Sequence, residues 1–453
     1  MTRTTQLVPL LLAAIAVSLL SAAAASNTTT SSHPGRLQGL LAEVSRWRER
    51  HLADPSSHPG GGVRPNTVAA WVLSFLAASV SSAGGVGGGS LFLPILNLVA
   101  GLSLKRATAY SSFMVTGGAA SNVLYNLVCT GGGGRLIDYD IALLFQPCLL
   151  LGVSIGVVCN VIFPEWLITA LFSLFLAFCT AKTCRAGVKI WRSEGPGAGA
   201  GKEPLLLPRG ASDGEGGGNG AAAAGFPWKD VALLVMVWLC FFALHVFIGD
   251  KHGKGVIRIK PCGVAYWLIT LFQLPAAVAF TGYIMYAKRK KHVVHSQEDG
   301  KEDPVEATME TLPSLTFPLA AFVTGALSGL FGIGGGLLLN PVLLQIGINP
   351  QTAAATSSFM VLFCASMSMV QFILLGMKGI GQASVYAAIC FVASVVGVVV
   401  IERAIRTFGR VSLIVFLVTA IMALSTVIVT VFGAQDVWTQ YTSGVYMGFK
   451  LPC

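Results

Sequence analysis

The sequence predicts an all-α polytopic membrane protein built from two inverted repeats, each with a glycine-broken hydrophobic hairpin. Three observations lead there. The chain of 453 residues is 54% hydrophobic and only 11% charged, against about 25% charged in an average soluble domain. Its apolar residues fall in long blocks without helical or strand alternation, as lipid-embedded helices require. One glycine-rich motif occurs twice, far apart in the chain.

From the N-terminus, Arg3 is followed by apolar Leu7–Leu20 and a small-residue run to Ser26. That layout predicts a signal peptide or signal anchor over 1–25 and places the next segment on the lumenal or extracellular side. Asn27-Thr28-Thr29 is a glycosylation sequon compatible with that side. Residues 26–66 form a polar lumenal segment, and 67–192 form the first transmembrane repeat. The Gly/Ala/Pro-rich stretch 193–227 has nothing with which to build a core and reads as a flexible cytosolic linker. Two helices over 228–287 come next, then a basic cytosolic loop over 288–313. The second repeat spans 314–432, and a tail covers 433–453.

Apolar blocks lie near 67–100, 107–129, 139–163, 165–183, 228–249, 263–287, 315–346, 352–376, 382–402 and 411–432. Most have the roughly 20 residues that cross a hydrocarbon core of about 30 Å at about 1.5 Å per residue. The blocks 67–100 and 315–346 are longer, and a glycine cluster interrupts each.

The net charge of +10 does not indicate nucleic acid, because Lys and Arg sit in short runs between apolar blocks and read as loop charges. Ten cysteines are present, mostly inside apolar blocks and without a CxxC pair, which gives a thiolate metal site little support. Cys262 and Cys453 both fall in segments read as non-cytosolic and are a weak candidate pair for a disulfide.

The repeat reads Gly85-Val86-Gly87-Gly88-Gly89, with Pro94, in the first half, and Gly332-Ile333-Gly334-Gly335-Gly336, with Pro341, in the second. Ser-Ser-Phe-Met-Val follows at 111–115 and again at 357–361. Glycine allows close backbone approach and proline removes an N–H. Non-helical backbone at membrane depth is tolerated only in a protein interior or beside an aqueous cavity. Paired glycine-interrupted segments in two halves are a transporter's binding-site signature. Close helix packing is the plainer reading of isolated glycines, and it explains the doubled motif with its downstream serines less well.

Taking each glycine block as a hairpin that returns to its own side puts 184–227, 288–313 and 403–410 in the cytosol. Lys182, Arg185, Lys189, Arg192, Lys288–Lys291, Arg403, Arg406 and Arg410 then face inside, as the positive-inside rule asks. The loop 250–262, with Lys251, Lys254, Arg258 and Lys260, breaks that rule. Five spans lie between the glycine blocks, so the second begins on the opposite side from the first.

At Gly85–Pro94 with Ser111–Val115, and Gly332–Pro341 with Ser357–Val361, the chain resembles the sulfite exporter TauE/SafE family of membrane proteins. The resemblance covers roughly 67–183 and 315–432. It implies export of small sulfur-containing anions such as sulfite or sulfoacetate. The signal peptide, lumenal segment and glycine-rich linker resemble a eukaryotic, plant-type member.

An anion carrier needs donors rather than charge traps, and backbone amides at helix N-termini and glycine nests supply them. The substrate-binding candidates are Gly87, Gly88, Gly89 and Ser90, with Ser111 and Ser112, and Gly334, Gly335 and Gly336, with Ser357 and Ser358. Thr116, Asn122 and Gln371 are further candidates. Any of the serines can instead bond to its own helix. Lys105 and Arg106 read as a snorkelling pair at the interface. No carboxylate lies in the middle of a span, which argues against an Asp-based sodium or proton relay. His245 is the single histidine within a span; a hydrogen-bonded helix partner is its plainer reading, and titration during transport the sharper one. The expected partners are a small anionic solute and membrane lipid, without nucleic acid, metal or cofactor. Serine catalysis is disfavoured because no histidine follows His295. The alternative function is a non-transporting endomembrane trafficking or scaffolding protein that keeps the fold.

Overall fold

A computed structural model describes residues 65–83, 88–129, 137–193, 228–248, 264–295, 316–345, 348 and 350–408, and scattered positions between 419 and 448. Every regular element among the described residues is helical. The first half contributes α1 (Pro65–Ala83), α2 (Gly89–Leu98), α3 (Leu104–Cys129), α4 (Tyr139–Ile162) and α5 (Glu165–Ser193). Two further helices follow, α6 (Trp228–Ile248) and α7 (Val264–His295). The second half contributes α8 (Thr316–Phe331), α9 (Gly336–Gln345), α10 (Pro350–Leu374) and α11 (Ile380–Phe408). The expected signal peptide, sequon, linker and Cys262–Cys453 pair lie outside the described residues.

Local chemistry sets the helix ends. Pro65 and Pro350 open α1 and α10, where a missing N–H costs nothing. Asp138 caps α4: its side chain accepts from the amides of Asp140 and Ile141 at 3.0 and 3.1 Å. At the other end Pro164 disfavours helical backbone at Phe163, which is extended (φ −68°, ψ 139°). Lys105 Nζ donates to the Val161 carbonyl at 2.7 Å, so the expected interfacial lysine closes the C-terminal end of α4.

Five described helices are long and apolar enough to cross a membrane: 139–162, 165–185, 228–246, 352–374 and 380–400. Of these, α4 is 83% buried within the protein, so it is the central post rather than a lipid-facing helix. By contrast α2 and α9, ten residues each, rise about 15 Å and cannot cross a layer of about 30 Å alone. The two long apolar blocks are therefore helix pairs broken at the glycine motifs, as expected.

The halves are interlocked. The fourth helix of each packs on the first helix of the other: α4 on α8, and α11 on α1. At the α4–α8 contact, Gly152 and Gly156 meet Gly325 and Gly329 backbone to backbone. A Cβ on any of the four would overlap main-chain atoms of the facing helix. Asn160 Nδ2 closes this seam by donating to the Leu330 carbonyl at 2.8 Å. Contacts advance together along both helices (149 with 325, 153 with 329, 160 with 330), so they run parallel. Helices α1 and α11 are also parallel, Trp71 stacking edge-on to Tyr386 while Ser79 Oγ donates to the Ala393 carbonyl at 3.0 Å. Between these pairs, α3 packs on α10 and α11, and α10 on α4.

Candidate functional site

The glycine motifs meet in the interior. Gly88 adopts a left-handed conformation (φ 69°, ψ −12°) as the N-cap of α2, without a side-chain cap. Gly335 does the same (φ 77°) just before α9. A side chain at either position is strained, since left-handed backbone crowds Cβ against the carbonyl. The first helical bonds are equivalent, Leu91 N to the Gly88 carbonyl and Leu338 N to the Gly335 carbonyl, both 3.0 Å. The amides of Gly89 and Ser90, and of Gly336 and Leu337, precede those bonds and are the orphan donors of the two helix starts.

The motifs also touch each other. A Cβ on Gly89 would overlap Ile333 Cα. Ser111 Oγ donates to the Gly332 carbonyl at 2.9 Å. A Cβ on Gly334 would strike Val115 and Val361, which close the two Ser-Ser-Phe-Met-Val runs. Glycine is required there because two valines, one from each half, occupy the space a side chain needs.

The predicted residues thus divide. Gly88, Gly89, Ser90, Ser111, Ser112, Gly334, Gly335 and Gly336 fall at this junction. Gly87 lies outside the described residues. Ser357 and Ser358 are buried in α10. Ser111 is committed to Gly332, and Ser112 Oγ donates back to the Thr108 carbonyl at 3.2 Å. In this arrangement both hydroxyl protons go to main-chain carbonyls, and a hydroxyl's single proton serves one acceptor at a time. Thr116 likewise donates to the Ser112 carbonyl at 2.7 Å, and Asn122 Oδ1 accepts from Ser82.

Two serines not foreseen flank the left-handed glycines. A Cβ on Gly88 would lie 2.7 Å from Ser81 Oγ, and one on Gly335 would lie 3.7 Å from Ser328 Oγ. Ser81 donates to the Ala77 carbonyl at 2.7 Å. Ser328 is fully buried, and among the described residues its hydroxyl has no partner. The seam glycines were also missed, although Gly-x-x-x-Gly spacing at 152/156 and 325/329 was their signal. Gln371 lies elsewhere, in a polar cluster around His245. Among the described residues, no group of three His, Cys, Asp or Glu side chains gathers as a metal site.

Interlocked halves, half-length helices meeting at glycine breaks and several apolar spans define a multi-pass integral membrane protein of the transporter class. A family profile described as "Sulfite exporter TauE/SafE" matches residues 3–183 and 220–426. The chain is 46% identical to "Sulfite exporter TauE/SafE family protein 5" of Arabidopsis thaliana, over 93% of this chain and 94% of that one. It is 44% identical to family protein 1 of the same plant, over 99% of this chain and 100% of the relative. Against family protein 2 it is 47% identical, over 86% and 88%. No solved structure matches. The chain belongs to the sulfite exporter TauE/SafE family, is of the plant type, and is a membrane transporter family member rather than an enzyme.

Proposed function

We propose that the protein is a secondary carrier of a small anion, a sulfur-containing oxyanion such as sulfite or an organosulfonate. The anion is held at the start of α9, with the start of α2 as its counterpart. One observation carries the site: the buried, unpartnered Ser328 hydroxyl beside Gly335, where the orphan amides of Gly336 and Leu337 begin α9. A helix start attracts anions through its partial positive charge and free N–H groups. A buried hydroxyl without a partner costs about 1–3 kcal/mol, a cost that a bound oxyanion removes by accepting from it. The relatives' names supply the sulfur chemistry.

Helix directions support an inverted-repeat carrier plan. Helices α1, α3 and α11 run one way: Tyr110 meets Gln382 and Gly117 meets Ala387, in step with the α1–α11 pairing. Helices α4, α8 and α10 run together: Asp138 N donates to Thr356 Oγ1 at 2.8 Å, and Gln371 reaches Ser154 at 3.3 Å. The turn 375–379 reaches at most about 21 Å, while α10 is about 37 Å long. So α11 runs back against α10, and the two sets oppose. The first helices of the halves, α1 and α8, then point in opposite senses, as in carriers that rock about a midplane site.

Counterflow of labelled sulfite into liposomes holding the purified protein tests this reading. Wild type should show saturable counterflow. Gly335→Ala puts a methyl 3.3 Å from Thr324 Cγ2 and 3.5 Å from Ser328 Cβ, with no main-chain atom that close but on left-handed backbone that strains it, and should lower the rate about tenfold, equivalent to about 1.4 kcal/mol, in protein that remains monodisperse. Absent wild-type counterflow, or undiminished counterflow in the variant, would refute the proposal.

A further inference from the structure

Helices α6 and α7 lie outside both repeats, yet α6 is pinned to both halves by one side chain. His245 is buried, and its Nε2 lies 2.9 Å from Ser154 Oγ on α4. The same nitrogen lies 3.1 Å from Gln371 Nε2 on α10 and 3.3 Å from Gln273 Nε2 on α7. Gln371 Nε2 also donates to Ser154 Oγ at 3.3 Å. Ser154, Gln273 and Gln371 are themselves at most 3% exposed. Helices α4, α7 and α10 are the main packing neighbours of α6, and each sends one uncharged, non-titrating group to this imidazole.

A histidine kept only to join helices needs one fixed partner at Nε2. Here three groups converge on it, and each carries both a donor and an acceptor. With Nε2 unprotonated, the lone pair accepts from a hydroxyl or amide proton. When a proton adds to that lone pair, Nε2–H donates to Ser154 Oγ, whose own proton already reaches the Leu150 carbonyl at 3.0 Å. Turning the Gln amides presents Oε1 in place of NH2. Both states are thereby satisfied without leaving an orphaned buried group, the usual penalty for exchanging an acceptor for a donor. His245 also sits in the last turn of α6, where the helix dipole favours a cation. Among the described residues, the groups facing the ring include no carboxylate.

We propose that His245, with Ser154, Gln273 and Gln371, forms a proton-binding site separate from the glycine junction, and that one proton travels with the anion. The proton enters from water on one side, adds to Nε2, and leaves to water on the other; Nδ1 keeps its own. Because α4 belongs to one half and α10 to the other, the proton is sensed where the halves move against each other. This rests on the carrier reading above.

The test uses the full chain in liposomes with isethionate, a sulfonate whose single charge is fixed across the pH range used. For one proton per anion, a pH step of one unit should drive about tenfold accumulation, since one unit is a factor of ten in proton activity. His245→Gln keeps a polar, non-titrating group; it should retain isethionate exchange within about twofold and lose the pH-driven accumulation. A variant that accumulates like wild type overturns the proposal. Wild type that exchanges neither isethionate nor labelled sulfite sinks the carrier reading, and the coupling with it. Exchange without pH-driven accumulation in wild type sinks the coupling alone. Independently of flux, 15N-histidine spectra of the full chain in nanodiscs, with the signal assigned by its loss in His245→Gln, should show Nε2 gaining a proton within the pH range over which wild type accumulates isethionate. A ring signal unchanged over that range overturns the site.

Discussion

The hydroxyl of Ser111 donates to the backbone carbonyl of Gly332 at 2.9 Å. It joins the serine run of one half to the glycine motif of the other. One residue along, Ser112 turns back on the Thr108 carbonyl of its own helix. Two adjacent serines in one repeated motif therefore do different work. Ser111→Ala should lower unfolding stability by about 1 kcal/mol, the net worth of a buried hydrogen bond plus an unpaired carbonyl. Ser112→Ala should stay within about 0.5 kcal/mol, because a back-bond of this kind adds little to a helix. Denaturant titration of the two variants in detergent separates them; equal losses would contradict the assignment.

Gly89→Ala places a methyl on Ile333 Cα. Main chain cannot yield as a flexible side chain does, so the variant should lose about 2 kcal/mol or more. Gly152→Ala should behave alike, since its methyl would meet the Phe322 carbonyl and the Ala326 amide. Gly282→Ala is the matched control: it is exposed, with nothing within 4 Å of the added carbon. Thermal melts should leave Gly282→Ala at wild type or slightly above, because alanine favours helix. A melt of Gly89→Ala as high as that control would mean that the halves do not meet at Ile333.

Asp138 starts the central helix α4 by accepting from two amides. Asp138→Ala should cost about 1 kcal/mol and Asp138→Asn only a few tenths, since Asn caps nearly as well. Matching losses in the two variants, in the same detergent assay, would show that charge rather than capping geometry is at work.

Lys105→Ala removes the cation from the C-terminal end of α4, where Nζ reaches the Val161 carbonyl. The expected loss is about 0.3–1 kcal/mol, shrinking as salt is raised. A loss independent of ionic strength would point to packing of the lysine stem.

Much of the fold was legible before any coordinates. Block lengths gave the helices nearly to their ends: 139–163 is realised as Tyr139–Ile162 and 228–249 as Trp228–Ile248. Water and lipid impose that constraint locally, residue by residue, so composition records it. The doubled glycine motif likewise marked both half-helix starts, because a left-handed N-cap such as Gly88 or Gly335 is nearly closed to other residues.

The sequence by itself determined membrane residence and the positions of the breaks, both of which depend on local composition and backbone preference. Only the tertiary structure decided what each break faces. A serine reads the same whether its proton goes to the facing motif, as at Ser111, to its own helix, as at Ser112, or to no protein atom, as at Ser328. The exchange of α4 and α11 between the halves, and the gathering of Ser154, His245, Gln273 and Gln371, join residues up to 314 positions apart. Such pairings arise from helix packing across the whole chain, and no local pattern encodes which helix will be the neighbour.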